Sequence, residues 1–256
     1  MSLFNKVLAS IGIGGAKVDT KLHKGTYSAG EAVQGVVEIT GGNTEQPIDE
    51  IYLSVMTTYI KEVDDNKFTQ TGTVGKFRVL DKLTIGPNEK KEIPFSFDLP
   101  YDTPLTAGRT RVWIHTGLDI KNAVDPTDKD FITVTPSPLA HTVLQSVQEL
   151  GFRIREAECI AAPRYLRGTL PFIQEFEFVP TSGSFRGKLD ELEVTFLSAS
   201  ETRIDVLLQV DRRARGLGSL LSEALNMDES HIRLSFSASE MSTIKHKLQE
   251  VINRYS

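Results

Sequence analysis

Arg212, Arg213 and Arg215 crowd into DRRARGLG at 211–218, inside a chain whose net charge is -5. Guanidinium groups hold carboxylates and phosphates through paired hydrogen bonds. The three arginines are therefore the candidate partner-binding residues, suited to a carboxylate, a phosphate or an acidic partner. The plainer alternative is a solvated strand end whose charges pair with nearby acids.

A second stretch, HKGTYSAGE at 23–31, spaces Gly25 and Gly30 as a phosphate-binding loop would. That loop is G-x-x-x-x-G-K-[ST], lies between a strand and a helix, and places its lysine on phosphate. Here Glu31 occupies the lysine position, and VQGVVEIT follows, a β-branched strand pattern. A carboxylate repels phosphate, so nucleotide binding is excluded. Gly30 is expected to serve a turn, and Gly35 a bulge or a close backbone approach.

Other chemistry falls away on spacing. Asp125, Asp128 and Asp130 in VDPTDKDF lack the glycine and distal glutamate of a calcium loop. Ser242 and Lys245 form a lone S-x-x-K whose companion motifs are missing, and both fit the wet side of a final helix. The histidines His23, His115, His141, His231 and His246 show no metal-ligand spacing. Cys159 has no C-x-x-C partner and reads as a small core residue. The expectation is a protein with no catalytic residues, no metal and no cofactor.

The elements that position these residues are mostly strands. Ile51, Leu53 and Val55 alternate with Tyr52 and Ser54; Ile93, Phe95 and Phe97 with Pro94 and Ser96. Phe176 and Phe178 alternate with Glu175 and Glu177, and Leu192 and Val194 with Glu191 and Glu193. Ile204, Val206, Leu208 and Val210, then Ile232, Leu234 and Phe236, repeat the pattern. Period-two alternation marks strands with one buried and one wet face, the signature of antiparallel sheets. The fold class is therefore all-β in the main, as two tandem antiparallel β-sandwiches with a few peripheral helices.

Apolar stripes predict helices over 2–11, 138–150 and 238–254, and a short one over 216–226. Ser137 and Pro138 suit the start of the second, Gly151 its end. Ser237 and Glu240 have capping-box spacing ahead of the last. Met241, Ile244, Leu248, Val251 and Tyr255 are its expected apolar stripe. It packs on its own domain or, as the sharper alternative, forms a homodimer. The Pro-rich TPSP at 135–138 sets the boundary between domains at 1–135 and 139–256.

The bulk properties agree. A length of 256 residues suits two domains. The negative balance speaks against nucleic-acid binding, which needs a basic face. One cysteine permits no intramolecular disulfide and fits a reducing compartment. The N-terminus does not read as a signal peptide, because Lys6 interrupts its apolar run. No apolar stretch approaches the roughly 20 residues of a membrane span. A cytoplasmic location is expected, with no integral membrane segment.

Tyr27, Gly30, Glu31, Val33, Gly35 and Val37 follow a Y-x-x-G-[ED]-x-V-x-G-x-[VIL] pattern. It resembles the opening of arrestin-like N-terminal domains. KKEIPFSFDLPYDTPLT at 90–106 and RVWIHTGLDIKNAVDP at 111–126 resemble later segments of the same domains. Over essentially its full length the chain resembles the bacterial sporulation-control proteins of the stage-zero M family. That resemblance implies a non-enzymatic regulator of sporulation working through protein contacts. Its partners would be other proteins, such as sporulation-control or division proteins. The alternative is a ligand-binding or self-assembling scaffold associated with cell shape or division.

Overall fold

The structure is a computed structural model that describes residues 15–64, 66–120, 124–166, 168–212 and 229–256. The helices expected over 2–11 and 216–226 lie outside the described residues, as do Arg213 and Arg215. The chain divides into two compact units. The first holds the residues up to Thr57, with Thr71–Thr103 and Arg111–Val134; the second holds Thr58–Gln70, Pro104–Thr110 and Thr135–Ser256.

In the first unit, β1 (Lys17–Leu22), β3 (Ala32–Thr40) and β7 (Lys90–Asp98) form a sheet in the order β1-β3-β7. β4 (Gln46–Val63), β8 (Val112–Ile120), β9 (Thr127–Thr135) and β2 (Thr26–Ser28) follow one another in a second sheet. β5 (Asn66–Leu80) and β6 (Leu83–Ile85) also pair with β4. The register explains the alternation. Ile51, Leu53 and Val55 of β4 lie opposite Leu118, Thr116 and Ile114 of β8, and all six are buried. Val33, Val37 and Ile39 of β3 are buried too.

Two glycines permit the close geometry at this end. Gly30 has φ +87, and a Cβ there would lie 2.3 Å from the Tyr101 ring. Gly35 marks a close approach without a bulge. Its pairing with β1 and β7 is unbroken, and a Cβ would lie 2.4 Å from the Lys21 backbone oxygen.

In the second unit, β10 (Phe152–Ala161), β11 (Phe172–Pro180), β12 (Leu189–Ala199), β13 (Arg203–Arg212) and β14 (Glu229–Ser237) pair in sequence order. All four of these pairings are antiparallel. The alternation predicts only antiparallel neighbours, yet a parallel bridge joins Ile160 to Ile60. The reason is length: β4 runs for 18 residues, past the end of its pairing with β8 at Thr57. The overhang meets β10.

The inner face of this sheet is aromatic and aliphatic. Phe176, Phe178, Leu192, Val194, Val206, Leu208 and Val210 are buried. Burying each such side chain contributes about 1.5–3 kcal/mol. Two helices pack against this sheet, α1 (Pro138–Glu149) and α2 (Ile244–Tyr255), and they also touch each other. Ser137 Oγ accepts the Ala140 N–H at the start of α1, and Gly151 follows its end with φ +98.

At the C-terminus the expected continuous helix over 238–254 is corrected. Ala238–Thr243 is 3-10, and the α-helix begins at Ile244. Tighter 3-10 turns are common at helix starts. Glu240 accepts from the Ser237 N–H at 2.9 Å and from its hydroxyl at 2.7 Å, so the capping-box pair is present. The buried stripe is Ile244, Leu248 and Ile252, one residue on from the expected Val251.

Candidate interaction surface

Arg212 is the last residue of β13, opposite Leu189 on β12. Its side chain, with Arg213 and Arg215, lies outside the described residues.

The phosphate-loop stretch has a structural role. Glu31, in the lysine's place, accepts from the Ser28 N–H at 2.9 Å and pairs with Lys24. The Lys24 hydrogen bond, then the Ser28 N–H, hold its carboxyl below the usual range. The Glu31 N–H returns a 2.9 Å bond to the Ser28 carbonyl. The turn is closed by its own side chain.

Several of the other singled-out residues are also engaged. Lys245 pairs with Glu149 at 2.9 Å, tying α2 to α1. Asp125 Oδ1 accepts the Ile120 N–H at 2.9 Å. Asp128 Oδ2 accepts the Thr20 N–H at 2.7 Å. Asp130 is pushed up to about 6, by burial first and by the Asp128 charge second. Among the described residues no group of three or more His, Cys, Asp or Glu is placed to hold a metal. Cys159 is buried, with its Sγ 3.8 Å from Thr110 Oγ1.

The first unit has two seams between its sheets, and they differ. Along the β1/β9 side, the Asp128–Thr20 bond crosses from one sheet to the other, and Thr20 Oγ1 lies 2.6 Å from Thr116 Oγ1. That seam is stapled. Along the β5/β7 side, a groove of about 460 Å³ opens between Lys76, Phe77, Arg78 and Val79 of β5 and Pro94, Phe95, Ser96 and Phe97 of β7. Among the described residues β7 ends its sheet and β5 pairs only with β4, so each has an edge with no strand beside it; an unpaired sheet edge is a template for a further strand unless a residue such as proline guards it. Phe77 stacks on Phe97 at 4.2 Å, and Phe95 lies 6.1 Å from Phe97. The floor is aromatic and half-buried.

The second unit carries a different surface on the outer face of its sheet. Glu156, Glu177 and Glu193 lie opposite one another across β10, β11 and β12, and Glu158 lies opposite Glu175. Like charges directly opposite are destabilising. Two arginines offset this. Arg109 lies 3.3 Å from Glu156 and 3.8 Å from Glu158. Arg155 pairs with Glu177 and Glu191. The register shifts between Ile154 and Glu156, so Arg155 is the extra residue of a bulge and is re-aimed by it. Burial, then the charges of Glu158 and Glu191, push the Glu175 carboxyl up.

Both surfaces were missed by motif reading, which looks along the chain. The signal for the second was present: E-x-E occurs in 156–158, 175–177 and 191–193, and adjacent antiparallel strands stack such pairs on one face. The open seam has no comparable signal, because it depends on which strands end the sheets.

Comparison with known proteins places the chain. Residues 4–214 match the family described as SpoOM protein. The "Sporulation-control protein spo0M" of Bacillus subtilis (strain 168) is 45% identical over 259 residues, covering 100% of both chains. The crystal structure of Spo0M, sporulation control protein, from Bacillus subtilis superposes with a TM-score of 0.84 at 44% identity, covering 95% of this chain and 100% of that one. A match over most of the chain, joined to that end-to-end relative, leads to one conclusion: the chain belongs to the SpoOM protein family.

Proposed function

We propose that this protein is a non-enzymatic regulator of sporulation that works in the cytoplasm by contact with other proteins. The open β5/β7 seam carries this reading. Two free sheet edges flank a half-buried aromatic floor, a surface built to be covered by another chain. The name of the end-to-end relative supports the sporulation role. Arg212, Arg213 and Arg215 are a second proposed contact, for an acidic group. The test is crosslinking with mass spectrometry in sporulating cells, comparing wild type with Arg212→Glu/Arg213→Glu. Specific crosslinks to other proteins are expected. Their absence in the wild type overturns the reading, and an unchanged set in the variant removes the arginines from it.

A further inference from the structure

We propose that the β5/β7 seam receives an extended partner segment in which acidic and apolar residues alternate, and that this segment adds as a strand to β5. The inference rests on the protein-contact reading and gives its site and the chemistry of its partner.

The two edges are not equal. β7 carries Pro94 in the middle of the groove. Proline has no N–H to donate and is a common guard of edge strands. Residues 66–80 contain no proline, so β5 is the edge that can extend a ladder. Four residues of β5 flank the groove, which matches a bound strand of about 13 Å.

The alternation of β5 dictates that of its partner. Phe77 and Val79 are half-buried, whereas Lys76 and Arg78 are exposed. A strand paired beside them lays its own apolar residues over Phe77, Val79 and Phe97. Its intervening residues then stand beside Lys76 and Arg78. Those neighbours are cationic: residues 66–80 carry Lys67, Lys76 and Arg78 and no carboxylate, in a chain of charge -5. Lys76 rests 3.3 Å from Glu50, and Arg78 2.8 Å from Asp81. Exposed pairs of this kind contribute little, so incoming carboxylates exchange with them at small cost. A basic segment would meet like charge instead.

The test uses the full chain and a blocked synthetic peptide of about seven residues, alternating Glu with Phe or Val. Its counterparts carry Lys for Glu, or methyl groups on alternate backbone nitrogens. Calorimetry is expected to show saturable binding of the Glu peptide, weakened by salt. The Lys peptide and the N-methylated peptide should each bind about tenfold more weakly or worse. Hydrogen exchange should show new protection at 74–80. Lys76→Glu/Arg78→Glu should weaken binding by about tenfold; Lys76→Gln/Arg78→Gln, which introduces no new charge, should do so by less, with its melting curve unchanged. Equal binding of the Lys peptide, undiminished binding of the N-methylated peptide, protection confined to other strands, or preference for a single-stranded oligonucleotide would each overturn the proposal. Native crosslinks that survive in the Lys76→Glu/Arg78→Glu protein overturn the seam alone; a wild type without any crosslinked partner overturns the broader reading.

Discussion

The side-chain amide of Gln174 closes on the backbone of Leu105 from both sides. Its Oε1 accepts the Leu105 N–H at 2.7 Å, and its Nε2 donates to the Leu105 carbonyl at 2.8 Å. Nε2 also reaches Thr110 Oγ1 at 3.2 Å. One buried glutamine thus imitates a backbone strand and holds residues 104–110 on the β10/β11 end of the sheet. Gln174→Leu strands the buried Leu105 N–H, at about 1–3 kcal/mol, while the Leu105 carbonyl keeps the Ala107 N–H at 2.9 Å. Urea unfolding is expected to show a loss of about 2 kcal/mol; a loss under half of that would mean that water replaces the amide.

Asp130 sets a pH dependence. Its carboxyl is raised from 3.8 to about 6 by burial and then by Asp128, so the folded state binds its proton more tightly than the unfolded chain. The stabilisation is complete below about pH 4 and is lost as pH rises through about 6. Asp130→Asn should therefore stabilise the protein at pH 7, by about 1 kcal/mol after allowing for solvent screening. It should change little at pH 4. Thermal melts across that range check the sign, and a variant less stable at pH 7 would contradict it.

Gly35 tests the packing of the smaller sheet. A methyl group there would press on the Lys21 carbonyl at 2.4 Å and on the Phe95 ring at 2.8 Å. Neither is the free end of a flexible chain. Gly35→Ala should cost about 2–3 kcal/mol and release β1 first, seen as faster hydrogen exchange at 17–22 than at 90–98.

Arg155 governs the acidic face. Removing it leaves Glu177 and Glu191 without the cation that both share. Arg155→Ala should cost about 1 kcal/mol at low ionic strength, and less at 1 M salt where screening falls within about 3 Å. A loss that does not depend on salt would assign the residue to packing.

Much of this architecture can be read from residue order. The alternation in Ile51, Leu53 and Val55, or in Phe176 and Phe178, reports one wet face and one dry one, and the burial agrees. The caps at Ser137 and at Ser237 with Glu240 are local, and local chemistry is legible. What stays hidden is long-range. Nothing near Gln174 in the chain announces Leu105, 69 residues away. Nothing near Thr20 announces Asp128, 108 residues away. The bulge that turns Arg155 toward two glutamates depends on pairing with β11. The open seam depends on where two sheets stop.

Cys159 lies beneath the segment that Gln174 retains. Its thiol touches Thr110, and only a void of about 40 Å³ lies beside it. The sulfur is buried, so a thiol reagent reaches it when its cover, Thr110 among it, moves away. The rate of Cys159 labelling in the native protein is therefore a clock for local opening around it, carried by a natural residue of the chain.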